Sequence, residues 1–323
     1  MQHYRLIRAT AAAIAVVTLV IYLRSIDPLW EGLVRPPTET VRVGLCLLSK
    51  DDALKGYLEE WLDYHKSIGV AGVVIMEDNS TQSALTVPGI LRHVRSGFII
   101  HYVFNAAQQW VRYPPPKDKL GPFPNNQIFA YNHCLRNYRN TFTHMGFIDG
   151  DEFIVIKNNM SISEALHPYK GFGGLTLNWM NMASNGHITR PSGGVLRNYN
   201  RCVRNCHVKS IVNTNAVVRT SNTPHHFLYK FGFYAVDTNF ERVAGPTNPD
   251  NVNGSCFRSG LLLLPSESLY NVLYLNHYGI KSKQDWQEKM ARGWAEGTKL
   301  NQDYFDYVDG LALDNCPFLQ VKN

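Results

Sequence analysis

The sequence predicts a mixed α/β protein built on a parallel sheet, and three observations predict it. An apolar β-rich run, a helical stripe and a second apolar run follow one another within residues 41–76, the spacing of a βαβ unit. The strand-like runs end in small polar or acidic residues, Ser49-Lys50-Asp51-Asp52 and then Glu77-Asp78-Asn79-Ser80. A later apolar run, His144 to Ile156, is broken at its centre by Asp149-Gly150-Asp151-Glu152.

Composition bounds the rest. With 323 residues, 45% of them hydrophobic and 12% aromatic, the chain carries ample apolar mass for a large core and too much for disorder. A formal charge of +6 favours anionic partners. The basic residues are scattered without an Arg/Lys-dense block, which sets a small phosphorylated ligand well ahead of nucleic acid.

The elements read in order as follows. Residues 1–8, with Arg5 and Arg8, form a cytoplasmic tail before an uncharged run, Ala9 to Leu23, closed by Arg24. At ~1.5 Å per residue that helix covers a little over 20 Å, short for a bilayer core of about 30 Å. It suits a signal-anchor in a thin early-secretory membrane or a cleaved signal peptide. The residues after it, Leu23-Arg24-Ser25-Ile26-Asp27-Pro28, lack the small residues of a cleavage site, which favours the anchor with the rest of the chain in a lumen. Residues 24–40 read as a stem, and residues 41–323 as the folded domain.

Within that domain Val41–Leu48 is the first strand. From Leu54 to Ile68, the residues Leu54, Tyr57, Leu58, Trp61, Leu62 and Ile68 recur at helical spacing. Gly69 ends this helix and Ala71–Met76 is the second strand. A third strand at Phe98–Phe104 and a helix at Asn126–Tyr138 precede the acidic cluster. Of six cysteines, Cys46 and Cys134 sit in apolar patterns and read as buried thiols, whereas Cys202, Cys206, Cys256 and Cys316 offer a disulfide or two. Glycosylation sequons occur at Asn79, Asn159 and Asn253.

In parallel sheets ligands gather at the carboxyl ends of the strands, so the three polar strand ends converge on one pocket. There Asp149-Gly150-Asp151 acquires chemistry. Two carboxylates flanking one small residue can share a hard divalent cation that keeps sites for water and phosphate. Such a cation stabilises a departing diphosphate. The triplet alone also fits a solvated β-turn, and its place after an apolar strand is what raises it.

Five segments together, YLEEWLDYHKSIGV, VVIMEDNS, NQIFAYNHCLRN, MGFIDGDEFIVI and LNHYGIKSKQDWQEKMARG, resemble glycosyltransferase family 92 over most of Val41–Gly293. The resemblance implies a GT-A fold, a Rossmann-like nucleotide-binding sheet with helices on both faces. It implies a single-pass type II transferase of the Golgi or endoplasmic reticulum that moves a sugar, galactose from UDP-galactose first among donors, to a glycan or glycoprotein acceptor with inversion. Asp151 matches the metal position, Asp149 the metal or the donor ribose, and His277 the third ligand for Mn²⁺ or Mg²⁺. Asp78 matches the position that reads the nucleotide, with Asn79 beside it. Lys281 and Lys283 read equally as diphosphate ligands and as solvated loop charges. The segments CHVKSIV and PHHFLY place His207, Lys209, His225 and His226 near the site. Trp179 reads as core or as a platform for a sugar ring.

An inverting transfer needs a carboxylate to deprotonate the acceptor hydroxyl. Asp237 and Glu241 are the candidates between the metal motif and His277. Two rivals remain. One is the Gly-Gly-Asp-Glu-Phe turn of diguanylate cyclases, whose other motifs the chain lacks. The other is a glycosyltransferase-like fold that binds glycans without turnover, which metal removal would distinguish from an enzyme.

Overall fold

The computed structural model describes residues 40–51, 55–78, 80–104, 125–243, 257–258, 261–262, 264–292 and 301–321. The apolar run Ala9–Leu23, the stem at residues 24–39, and the sequons at Asn79 and Asn253 lie outside these residues. Among the described residues no helix is long and apolar enough to cross a membrane. All but Thr40 belong to one compact unit, Val41–Asn323.

In chain order the first half is β1 (Val43–Ser49), α1 (Tyr57–Ser67), β2 (Gly72–Asp78), α2 (Pro88–Arg95), β3 (Ile99–Phe104), α3 (Asn126–Tyr138) and β4 (His144–Phe147). Then come β5 (Glu152–Ile156), α4 (Ile162–Leu166), β6 (Gly174–Met182), β7 (Arg201–Asn213), β8 (Val217–Thr220), β9 (Phe227–Tyr229) and β10 (Ala235–Val236). The remainder is β11 (Phe257–Arg258), β12 (Leu261–Leu262), β13 (Leu273–His277), α5 (Lys283–Arg292), α6 (Gln302–Leu311) and β14 (Asp314–Asn315).

The main sheet runs β3-β2-β1-β4-β7-β6-β13-β5. Its first four strands are parallel, as the βαβ spacing predicts. The second half is mixed: β7 runs antiparallel to both β4 and β6, and β5 antiparallel to β13. An all-parallel reading of the sheet therefore holds for one half only.

Side-chain alternation explains why helices cover both faces. Along β1 and β2, Leu45, Leu47, Val73 and Ile75 pack with Leu58, Trp61 and Leu62 of α1 in one core cluster. Their neighbours Cys46, Val74 and Met76 point the other way, onto Ile128, Tyr131 and Leu135 of α3. Cys46 and Cys134 meet on that second face as a disulfide, not as the two buried thiols their apolar surroundings suggest. Cys202–Cys316 is a second disulfide, Cys206 is also disulfide-bonded, and no described cysteine is free.

The free edge of β5 is closed by α1 rather than by another strand. Trp61 Nε1 donates to the Glu152 carbonyl at 2.7 Å and Tyr64 Oη to the Ile154 carbonyl at 2.8 Å. His65 completes the arrangement, with Nδ1 on the Trp61 carbonyl at 2.8 Å and Nε2 accepting from the Ile154 amide at 3.3 Å. An unpaired strand edge is a template for aggregation. Here its polar groups are used to fix the segment that follows Asp151.

Candidate active site

The strand order reverses between β1 and β4, because β2 and β3 lie to one side of β1 and β4 to the other. Loops leaving two such strands diverge and open a crevice at their carboxyl ends. A cleft of about 350 Å³ occupies that place, lined by Ser49 and Lys50 after β1, Asp78 after β2, and Asp149, Gly150 and Asp151 after β4. Trp179 of β6, His277 of β13, and Lys281, Lys289 and Arg292 complete it.

Asp151 and His277 face each other, with Oδ1 and Nε2 3.8 Å apart. Burial pushes the His277 imidazole down to about 3, the nearby Asp151 only partly countering it, so the ring is neutral. Its Nδ1 lies 3.2 Å from Asn181 Oδ1, an acceptor, which puts the proton on Nδ1 and leaves the Nε2 lone pair facing Asp151. Trp179 holds the ring from one side, with centroids 4.0 Å apart. Gly279 leaves the other open: a Cβ there would lie 2.7 Å from His277 Cε1.

Asp151 is mostly buried, which on its own raises a carboxyl. Lys289 and Lys281 outweigh that and hold it well below the usual carboxylate range. Lys289 Nζ lies 2.9 Å and Lys281 Nζ 3.8 Å from Oδ2.

Asp149 is held differently from its partner two residues on. Its Oδ1 accepts from Gln127 Nε2 at 2.6 Å and Tyr131 Oη at 3.2 Å, and its Oδ2 from Lys209 Nζ at 2.9 Å. Lys209 is 1% exposed, and a buried ammonium requires a counter-charge. Burial would lower its pKa, yet Asp149 and Glu152 raise it well above the ordinary value. The three expected ligands, Asp149, Asp151 and His277, all line the cleft but differ in their partners. Asp149 is engaged by Lys209, and among the described residues no three His, Cys, Asp or Glu side chains are grouped to hold a metal ion.

The pair that remains does fit a hard divalent cation. Two ligands each ~2.1 Å from a shared ion stand roughly 3 to 4 Å apart, as the Asp151 oxygen and the His277 lone pair do. An imidazole oriented through its other nitrogen, here by Asn181, is the usual arrangement for a metal-binding histidine.

The other expected residues divide. Asp78 lines the cleft, its Oδ2 accepting from Asn126 Nδ2 at 3.2 Å. Lys281 lines it as well. Lys283 is exposed at the start of α5, outside the lining. The α5 face that turns inward is Asp285, Lys289 and Arg292, spaced at one and two helical turns. That spacing was available in the sequence and is the signal the two loop lysines obscured. His207 and His225 lie beside Trp179, at 5.0 and 5.9 Å between ring centroids. They stand where β7 gains Cys206 and His207 as a bulge against β6. His226 is buried and lies outside the lining.

Asp237 and Glu241, the expected base candidates, lie outside the cleft lining. They follow β10, which pairs with Gly174 and Leu175 at the start of β6, whereas Trp179, further along that strand, lines the cleft. Four residues of strand, from Leu175 to Trp179, at ~3.3 Å each separate the two places. Asp237 Oδ1 instead accepts the amides of Asn239 and Glu241 in a local turn.

The sequence profile of glycosyltransferase family 92 matches residues 43–252. The chain belongs to that family. A family 92 protein of Oryza sativa subsp. japonica is 27% identical over 198 residues, covering 60% of this chain and 30% of its own. One from Ricinus communis is 27% identical over 187 residues, covering 56% and 31%. This family 92 chain thus matches under a third of the length of those curated relatives. Among solved structures it is loosely similar to S. aureus TarS, at a TM-score of 0.32 and 15% identity over 54% of this chain and 47% of that one. It is also loosely similar to the mannosyltransferase PcManGT of Pyrobaculum calidifontis, solved with GDP-Man and Mn²⁺, at 0.29 and 16% over 52% and 46%.

Proposed function

We propose that this family 92 chain is a metal-dependent transferase of GT-A type that moves a sugar from a nucleotide donor to a glycan or glycoprotein acceptor. Galactose from UDP-galactose, with inversion, is the reading the family favours. The observation that carries the proposal is the Asp151–His277 pair, set 3.8 Å apart in a cleft ringed by Lys281, Lys289 and Arg292.

In this reading Asp151 and His277 hold a divalent cation, Mn²⁺ or Mg²⁺, with Mn²⁺ preferred because it tolerates imidazole nitrogen. Such an ion supplies Lewis-acid stabilisation to a departing diphosphate. Lys289 and Lys281, already at the Asp151 carboxylate, neutralise the same phosphates, and Asp78 faces the nucleoside from the end of β2. Lys209, Gln127 and Tyr131 keep Asp149 fixed for the donor ribose. Trp179, packed between His277 and His207, lines the cleft for a sugar, and among the described residues its buried Nε1–H has no hydrogen-bond partner, so a ligand oxygen would satisfy it.

The disulfides support an oxidising compartment. They suit a lumenal domain on a type II anchor at residues 9–23, in the Golgi or endoplasmic reticulum. The test is calorimetric binding of UDP to the full chain with Mn²⁺ and then with EDTA, beside Asp151→Ala. Binding that needs the metal and is lost in the variant supports the proposal. Equal binding with EDTA would overturn metal dependence, and no UDP binding in either condition would bring forward the glycan-binding reading.

A further inference from the structure

The end of the sheet opposite the cleft carries an exposed aromatic tip. Lys230-Phe231-Gly232-Phe233 turns tightly between β9 and β10, the Phe233 amide donating to the Lys230 carbonyl at 3.0 Å. Gly232, at φ 85°, takes the left-handed conformation that such a turn needs. The turn holds Phe231 fully in solvent, at 105% relative exposure, with Phe233 at 43%. Phe240, 50% exposed, stacks on Tyr169 nearby, beside Phe172 and Tyr234.

Adjoining large apolar side chains held in water mark an interaction surface, and two features say which. The first is location. The Arg42 amide donates to Thr143 Oγ1 at 2.7 Å, the Thr214 amide to the Thr143 carbonyl at 3.0 Å, and the Lys230 amide to the Ala216 carbonyl at 2.8 Å. The tip therefore lies at the sheet end where the chain enters the domain, at Val41. Upstream of that point the sequence holds the apolar run Ala9–Leu23. The second is charge. Arg42, Lys230 and Arg242 are exposed at this end, the Arg242 guanidinium 4.7 Å above the Tyr234 ring. Aromatic side chains flanked by cations match the layering of a phospholipid surface, apolar below and phosphate above.

We propose that the Phe231–Phe233 tip docks on a phospholipid membrane, the two rings entering the headgroup–acyl boundary and Arg42, Lys230 and Arg242 meeting headgroup phosphates. The docked domain turns its cleft away from the bilayer, toward acceptors in solution. The inference takes Ala9–Leu23 as a membrane anchor and does not depend on which sugar is transferred.

The test uses the full chain in phosphatidylcholine–phosphatidylserine vesicles, labelled with an environment-sensitive fluorophore at Phe231→Cys. Ile188→Cys, an exposed position at the cleft end, is the reference. Both sites are solvent-exposed, so neither substitution disturbs the core. Blue-shifted emission at 231, quenched several-fold more strongly by nitroxide-bearing lipid than at 188, is the expected result. Flotation of the same vesicles reports the anchor separately. A floated chain whose label at 231 is as wet as that at 188 overturns the docking and leaves the anchor standing; a chain that does not float overturns both.

Discussion

Lys289 Nζ and Asp151 Oδ2 lie 2.9 Å apart, and this pair ties α5 to the turn after β4. Lys289 also donates to the Gly279 carbonyl at 2.9 Å, so its ammonium is fixed at the cleft wall. A charge-assisted contact is worth ~1.5–3 kcal/mol. Lys289→Ala should therefore weaken UDP binding by roughly ten- to a hundred-fold, while uridine, which lacks the phosphates, binds as before. Calorimetry with the two ligands checks this. An equal loss for both would show that Lys289 supports the fold of the cleft rather than the diphosphate.

The contact between Gly279 and the His277 ring makes a sharper prediction. A methyl group at 279 would lie 2.7 Å from Cε1 and 2.9 Å from Nε2, well inside van der Waals contact. In Gly279→Ala the imidazole must rotate, which breaks its Asn181 hydrogen bond and turns Nε2 from Asp151. Metal-dependent UDP binding should fall at least ten-fold while the melting temperature moves by only a few degrees. A variant with unaltered metal dependence would remove His277 from the metal site.

The parallel half of the fold was legible because local pattern and global role coincide there. The helix expected at Asn126–Tyr138 is α3 itself, and the expected strands at Val41–Leu48 and Ala71–Met76 lie within two residues of β1 and β2 at each end. Asp149, Asp151 and His277 were legible as strand-end polar residues. Their division of labour was not, since only the assembled sheet brings Lys209 of β7 under Asp149. The Cys46–Cys134 bond was hidden for the same reason: burial looks alike in sequence for a thiol and a half-cystine, and β1 meets α3 only in the fold. That Asp237 and Glu241 lie outside the cleft lining was not legible, because chain position between two motifs says nothing about which end of a strand a loop joins.

Burial of His65 sets an acid limit on stability. Desolvation pushes its imidazole down to about 3, and the Trp61 carbonyl only partly counters that. His144 is pushed down to about 4, also by burial. Unfolded histidines titrate near 6.5, so between these values and about pH 6.5 the unfolded chain binds protons that the folded chain refuses. Stability is thus complete above about pH 6.5 and falls as pH drops below it, by about 1.4 kcal/mol per pH unit for each group. Urea midpoints between about pH 7.5 and 5 should show the decline, and His65→Gln should remove one proton from the slope. An unaltered slope would exclude His65 as a source.

The Cys46–Cys134 bridge closes a loop across a sequence separation of 88 residues and pins α3 to the middle of the sheet. Loop-closure entropy for that length corresponds to about 4–5 kcal/mol, with measured effects often smaller. Cys46→Ala with Cys134→Ala should lower the denaturation midpoint accordingly, and more than loss of any single surface ion pair. Because α3 also carries Gln127 and Tyr131 to Asp149, UDP affinity should decline together with stability. Full stability in the double variant would mean that the core alone fixes α3.

Lys209 is the residue on which the Asp149 side of the site rests. Its ammonium lies 2.9 Å from Asp149 and 3.9 Å from Glu152 Oε1, and among the described residues that fully buried oxygen accepts no hydrogen bond. Burial, with Asp149 nearby, raises the Glu152 carboxyl well above its usual value despite the Lys209 charge. Removing the lysine leaves both acids without their cation, at a cost of ~3–5 kcal/mol for a broken buried pair. Lys209→Met should therefore be strongly destabilised, and Glu152→Gln added to it should restore part of the loss, because the amide needs no counter-charge. A double-mutant cycle in denaturant measures that recovery. Strictly additive losses would show that the two side chains act independently and that Asp149 alone holds Lys209 charged.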